Sequence, residues 1–466
     1  MARIAILGMA PLPWEPTLRH FGLGKRTWQF TLPLTQTGHE VVLIAKRMLD
    51  AYKDVDDIGD DSPRDHLTIH RLEPSEFHDV DHIRRLIRES EPDCVIGVNM
   101  EAASMACTSN PSVPIWADLN GYSMGEAQAR HHNIGDQDDP SIMWRQLLPI
   151  LLRADVFSAV SAPQRFSLIG ELGAIGRLNA DTFGYEFVHH IPNAVEAPEE
   201  SSEEERFLSR YDDDPDSFWV YWSGGFNTWA DVPTLTHGLN AAMKVLPNLR
   251  FISTGGALGV HDPATYDRFQ RLVSESNFRD RYHLLGWLPR EDAAKVAREA
   301  HMGINMDLPC YETQIGARNR INDMLRYGLP VITTFGTEIS KFVDRHGLGL
   351  VIDCGDDQAL ANALIWANEN RNRLTEMGIR GKEEVLTRFS YGRTTRDVSR
   401  WVVTPTFAPD NLMKRAGDRA YGSELERWSH LIREIETLEA DRAELHRLHD
   451  TRWFRIYDWL RRILPS

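Results

Sequence analysis

Two series of short, continuous apolar runs, separated by segments of helical period, constrain this chain more than any other feature. The first series is Ile4–Leu7, Val41–Ala45, Cys94–Val98, Val113–Ala117, Val156–Val160 and Val188–Asn193. The second is Phe218–Gly225, Leu249–Gly256, Tyr282–Trp287, Met302–Met306, Pro330–Thr334 and Leu348–Ile352. Runs of this length without polar alternation read as parallel strands buried on both faces under helices. Between the series lies the acidic, Pro-containing stretch Glu196–Glu205, which reads as a linker. The expected fold class is therefore α/β: two Rossmann-like doubly wound domains, 1–195 and 196–402, facing across a cleft, followed by a helical tail over 403–466. Facing strand ends of two such sheets are where ligands of this fold class bind.

Charge narrows the choice of partner. The 466 residues carry 52 Lys+Arg against 68 Asp+Glu, a net charge of −16, which argues against nucleic acid as a ligand. No stretch of eighteen apolar residues is present, and the first run reads as a strand, too short for the apolar region of a signal peptide. The four cysteines, Cys94, Cys107, Cys310 and Cys354, show no CxxC spacing, which fits neither a disulfide framework nor a zinc site. A cytoplasmic location is expected. His131-His132 and His189-His190 lack neighbours of metal-ligand spacing, so no metal ligand is assigned.

The tail differs in kind. Leu431, Leu438 and Leu445 are seven apart, with Ile435 and Leu448 on the same stripe; this pattern predicts a long helix of coiled-coil character, packed on its own domain or joining an oligomer. Arg452–Leu464 places Trp453, Ile456, Tyr457, Leu460 and Leu464 on one face beside four arginines. Such a helix suits peripheral docking on an anionic inner-membrane face, with packing on protein or no ordered role as the alternatives.

Several motifs follow one another in a telling order. They are Gly22-Leu23-Gly24-Lys25 after the first run, Thr37-Gly38-His39-Glu40-Val41, Val160-Ser161-Ala162, Ile191-Pro192-Asn193-Ala194-Val195, Gly286-Trp287-Leu288-Pro289 and Gly328-Leu329-Pro330-Val331-Ile332. Together they resemble the GT-B glycosyltransferases, close to glycosyltransferase family 4, over roughly residues 1–402. The resemblance implies a nucleoside-diphosphate sugar as donor substrate and a glycan, lipid-linked or other acceptor. It also implies no cofactor, no metal, and retention of anomeric configuration without a protein nucleophile. No Gly-x-Ser-x-Gly, Walker or HExxH motif argues for another enzyme class. Two rivals stay open: a catalytically silent GT-B-like assembly subunit and a sugar-nucleotide epimerase.

The family's paired acids, eight positions apart, are incomplete here. Aligned on Gly328, the second acid falls on Asp323 and the first on Ile315, leaving Glu312 as a candidate replacement from a shifted loop. Asn319-Arg320-Ile321-Asn322-Asp323 resembles a variant, Asn-Lys/Arg-x-x-Glu. A helix beginning between Gly316 and Arg320 points free N–H groups at an anion, and Arg318 or Arg320 adds charge-assisted donors. Arg320 is therefore expected to act on the diphosphate, Asp323 to accept ribose hydroxyls, and Gly316, Arg318 and Asn319 to share that site, with surface salt-bridging for the two arginines and a solvent-facing helix acid at Asp323 as the alternatives.

Gly224–Asp231 occupies the place of the family's Gly-Arg loop and Lys, both absent. Gly225, Phe226 and Asn227 are expected beside the phosphates, with Gly24 and Lys25 facing them from the first domain. Asp118, as a catalytic group, and Asn120 are expected at the sugar or acceptor, with turn and cap roles as alternatives. Trp287 is expected to line the base pocket or the core.

Overall fold

A computed structural model of the chain describes residues 1–17, 19–52, 64–135, 141–199, 206–259, 262 and 264–416, with scattered positions between 434 and 447. The chain forms two compact units, Met1–Ala408 and Pro409–Ser466.

The larger unit contains two wholly parallel sheets. The first comprises β1 (Arg3–Ala10), β2 (Glu40–Arg47), β3 (Leu67–Leu72), β4 (Cys94–Val98), β5 (Ile115–Leu119), β6 (Val156–Ala159) and β7 (Val188–His190), in the order β3-β2-β1-β4-β5-β6-β7. The second comprises β8 (Phe218–Ser223), β9 (Leu249–Thr254), β10 (Tyr282–Leu284), β11 (Met302–Asn305), β12 (Val331–Thr334) and β13 (Gly349–Ile352), in the order β10-β9-β8-β11-β12-β13. These are the two doubly wound sheets expected from the apolar runs. One strand had no run to announce it: β3, Leu-Thr-Ile-His-Arg-Leu, is an edge strand in which Thr68, His70 and Arg71 interrupt the buried Leu67, Ile69 and Leu72.

Several of the motifs serve the frame. His39 Nδ1 accepts a hydrogen bond from the Ala2 amide at 3.1 Å, fixing where β1 begins. Ser161 caps the helix Ala162–Ala174 by accepting from the Gln164 amide. Gly328 ends the helix Asn319–Arg326 at φ 79°, a conformation open to glycine. Beyond the second sheet the chain returns to the first: Tyr391, Val398 and Val402 join the core around Ile4, Ile6 and Trp116, and Thr394 Oγ1 accepts from Gln29 Nε2.

In the smaller unit, Pro409–Ala416 is helical. The described positions between 434 and 447 are helical too, with Leu438 and Leu445 exposed. Leu431, Ile435, Leu448 and all of Arg452–Leu464 lie outside the described residues. Among the described residues no helix is long and apolar enough to cross a membrane.

Candidate active site

Strand order reverses between β1 and β4 and again between β8 and β11. Loops from the carboxyl ends of both sheets line one cleft of about 830 Å³, at the switch points where this fold class binds ligands. Two helices begin on the cleft, Gly22–Gln36 from the first domain and Asn319–Arg326 from the second. Their starts nearly touch, since a Cβ on Gly22 would lie 2.7 Å from Asn319 Nδ2. Neither start is capped by its N-cap side chain, Phe21 or Arg318. Unsatisfied N–H groups and the positive ends of two helix dipoles thus converge on one region.

Arg320 stands in the first turn of the second of these helices. It donates through Nη2 to the carbonyl of Gly225, and its guanidinium lies 4.1 Å from the Trp222 ring centroid. Its Nη1 is buried with no hydrogen-bond partner. Burial pushes the Arg320 pKa down to about 10, with Arg318 adding to the shift and Asp307 opposing it. A cation whose donor has no partner, beside two open helix starts, is a site for an anion.

Arg318 is placed differently. It donates to Asp307 at 2.9 Å and, through two nitrogens, to both oxygens of Glu312 at 3.0 and 2.6 Å. Only 4% of the residue is exposed. Although burial alone would lower it, Asp307 and Glu312 hold the guanidinium above its ordinary pKa. Arg318 and Glu312 line the cleft as a mutually neutralised pair, so the charge expected for the diphosphate is already spent on protein.

Asp323 lines the cleft one turn after Arg320 and is engaged too. Lys25 Nζ donates to its Oδ2 at 2.5 Å, and Arg326 Nε lies 3.4 Å from Oδ1. Burial would raise the Asp323 pKa, but Lys25 and Arg326 outweigh it and hold the carboxyl below its usual range.

Other expected residues divide. Asn120, Gly225, Asn227, Trp287 and Asn319 line the cleft. Asn120 Nδ2 donates to Asn99 Oδ1, whose own amide donates to the Leu23 carbonyl, tying the β5 loop to the first helix start. Trp287 meets Phe21 edge-on at 6.3 Å, and the Arg19 guanidinium lies 5.9 Å from its centroid.

Four expectations need correction. Asp118 is fully buried and accepts from Arg26 Nε and Nη2 at 2.9 and 2.7 Å and from Ser158 Oγ at 2.6 Å. It braces the first domain and does not face the cleft. Phe226 is also fully buried, stacked between Trp222 and Phe269, because the loop after β8 turns its aromatic side chain into the core. Gly24 belongs to the first helical turn, not to a loop: a Cβ there would lie 1.9 Å from the Pro11 carbonyl, so it permits close packing. Gly316 likewise abuts Glu312, to whose carbonyl its amide donates at 2.7 Å.

Sequence reasoning passed over three groups. Glu126 lies on the helix Ser123–Ile134, which abuts Tyr311–Ile315 so closely that a Cβ on Gly125 would meet the Glu312 amide at 2.9 Å. Burial, and then the nearby Glu312, push the Glu126 pKa up to about 7, against Arg318 and Arg130. His20 is pushed down to about 4 by burial and by Lys25 and Arg290, and its Nδ1 has no partner. Arg290, which opens the helix Arg290–Glu299, donates to the Pro13 carbonyl at 2.8 Å across the cleft. None of the three sits in a motif, and only the fold brings them together. Among the described residues no group of three or more His, Cys, Asp or Glu side chains is disposed to hold a metal ion.

Residues 220–370, which span the second sheet and the Arg320 helix, match the family described as glycosyl transferases group 1. The second domain is a group 1 glycosyltransferase domain. Solved structures agree on the fold around it. Sucrose-phosphate synthase from Thermosynechococcus elongatus superposes with a TM-score of 0.62 at 16% identity, covering 85% of this chain and 97% of that one. Anabaena HepE in complex with UDP-glucose gives 0.62 at 12%, covering 87% and 100%. A trehalose-6-phosphate protein from E. coli bound with UDP-2-fluoro glucose gives 0.62 at 10%, covering 87% and 100%. No curated protein matches the sequence. The glycosyltransferase domain and its partner domain together form the GT-B fold, with the cleft between the two sheets.

Proposed function

We propose that the protein moves a sugar from a nucleoside-diphosphate sugar to a glycan, lipid-linked or other hydroxyl acceptor, with retention and without a metal. The observation that carries this reading is Arg320, whose buried Nη1 has no partner where two uncapped helix starts converge. A leaving diphosphate would receive there the fixed donors and positive dipole ends that stabilise developing negative charge. Trp287 and Phe21 offer the base a face, and Asp323 offers the ribose a carboxylate. Glu312 has both oxygens on Arg318, which favours front-face displacement over a covalent glycosyl-enzyme. On the first-domain side, Asn120 and Glu126 would meet the acceptor, with the Glu126 pKa near 7 suited to hydrogen bonding a hydroxyl. The basic, aromatic Arg452–Leu464 would hold the catalyst at an anionic membrane face.

UDP is the first nucleotide to try, because two of the similar folds bind UDP sugars. Thermal melting with UDP, GDP, ADP and dTDP tests the reading: a ligand at a hundredfold its Kd adds about 2.7 kcal/mol of stability. Stabilisation by one of these and its loss in Arg320→Ala are expected. No stabilisation by any of the four would favour a silent scaffold. Turnover of a labelled UDP sugar in water alone would point to an epimerase or hydrolase.

A further inference from the structure

We propose that Lys25 determines specificity for phosphorylated nucleotides by exchanging partners: its ammonium holds Asp323 across the cleft and passes to the diphosphate when a donor binds. This rests on the reading of Arg320 and Asp323 given above. Lys25 projects from the first turn of Gly22–Gln36 in the first domain, and Asp323 belongs to Asn319–Arg326 in the second. Their 2.5 Å contact therefore bridges the two domains. With one ribose hydroxyl on each Asp323 oxygen, the hydroxyl at Oδ2 competes with Lys25 for that atom.

Of the two cations on Asp323, only Lys25 is free to leave. Arg326 is anchored by donating to the Glu196 carbonyl and the Tyr327 hydroxyl. The Lys25 side chain is 35% exposed and sits on a flexible four-carbon stem. The anion site marked by Arg320 lies one helical turn before Asp323, and the Lys25 helix starts against Asn319, next to Arg320. A bare nucleoside that displaces Lys25 from Asp323 leaves the ammonium without a partner. A nucleoside diphosphate breaks the same pair but supplies a new anion for it. Recognition of ribose and of phosphate is thereby coupled through one side chain.

The consequence is a difference in sign between two ligands. Calorimetric titration of UDP and of uridine into the full chain and its Lys25→Met and Lys25→Arg variants reads it directly. In Lys25→Met, uridine is expected to bind as tightly as before or tighter, because its competitor for Asp323 is gone. UDP should weaken about tenfold or more, the usual scale for a hydrogen bond to a charged group. Lys25→Arg should keep most of the wild-type ratio of UDP to uridine affinity. A merely structural Lys25 would move both ligands the same way, so equal weakening of both, or no change in either, overturns the proposal. If the unaltered protein binds none of the nucleoside diphosphates, it is the proposed function that fails, whatever the variants do.

Discussion

Asp118→Ala separates bracing from catalysis more cleanly than any other substitution in the first domain. The carboxylate is inaccessible and accepts three hydrogen bonds, two from Arg26 and one from Ser158. Removing it strands a buried guanidinium whose other acceptors are the carbonyls of Ile191 and Pro192 and the amide oxygens of Gln29 and Asn193. Those groups keep Nη1 and one Nη2 hydrogen engaged, but leave Nε and the charge without a partner. Breaking a buried pair from one side costs about 3–5 kcal/mol. For a domain of this size each kcal/mol is worth about 2–4 °C of melting temperature, so the first-domain transition should fall by about 6–20 °C. Scanning calorimetry of Asp118→Ala reads this directly, and the double variant Arg26→Met, Asp118→Leu should recover much of the loss, since apolar replacement of a buried pair is often neutral. Nucleotide affinity, measured below the lowered transition, should be near wild type. A variant that melts like wild type but has lost turnover would return Asp118 to the catalytic set and refute this reasoning.

Arg318→Ala leaves Asp307 and Glu312 buried without their shared cation, so chemical denaturation should show a loss of about 3–5 kcal/mol; unchanged stability with abolished nucleotide binding would mean that Arg318 serves the ligand instead. Glu126 has a folded pKa near 7 against an ordinary 4.5, so the folded state holds the extra proton between these values and stability should fall as pH rises from about 4.5 to about 7. Glu126→Gln should remove that slope, and an unaltered pH profile of unfolding would count against the assignment. Gly24→Ala drives a methyl group into the Pro11 carbonyl and should cost about 1–3 kcal/mol, whereas Gly22→Ala meets only the end of the Asn319 side chain and should melt closer to wild type.

The fold was legible because buried parallel strands write themselves as unbroken apolar runs. The exception, β3, lies at a sheet edge, where Thr68, His70 and Arg71 interrupt the apolar run. The second-domain helix start was legible too, since Gly316 to Asp323 combines turn and cationic residues in a short span. What sequence order does not disclose is who neutralises whom. Asp118 and Arg26 are 92 positions apart and Lys25 and Asp323 are 298 apart, so a polar residue after a strand looks the same whether it faces a ligand or a buried partner. Arg318 and Arg320 are two positions apart and equally basic, yet one is held by two carboxylates and the other keeps a donor without a partner. Glu126 and Arg290 gained their settings only when the two domains met.

A crystal structure of the protein with UDP bound tests the central claim most directly. The diphosphate oxygens should lie within hydrogen-bond distance of Arg320 Nη1 and of the first amides of Gly22–Gln36 or Asn319–Arg326, with the uracil on Trp287 and the ribose on Asp323. A nucleotide bound in the cleft with its phosphates turned away from Arg320, or seated outside the cleft altogether, would contradict it.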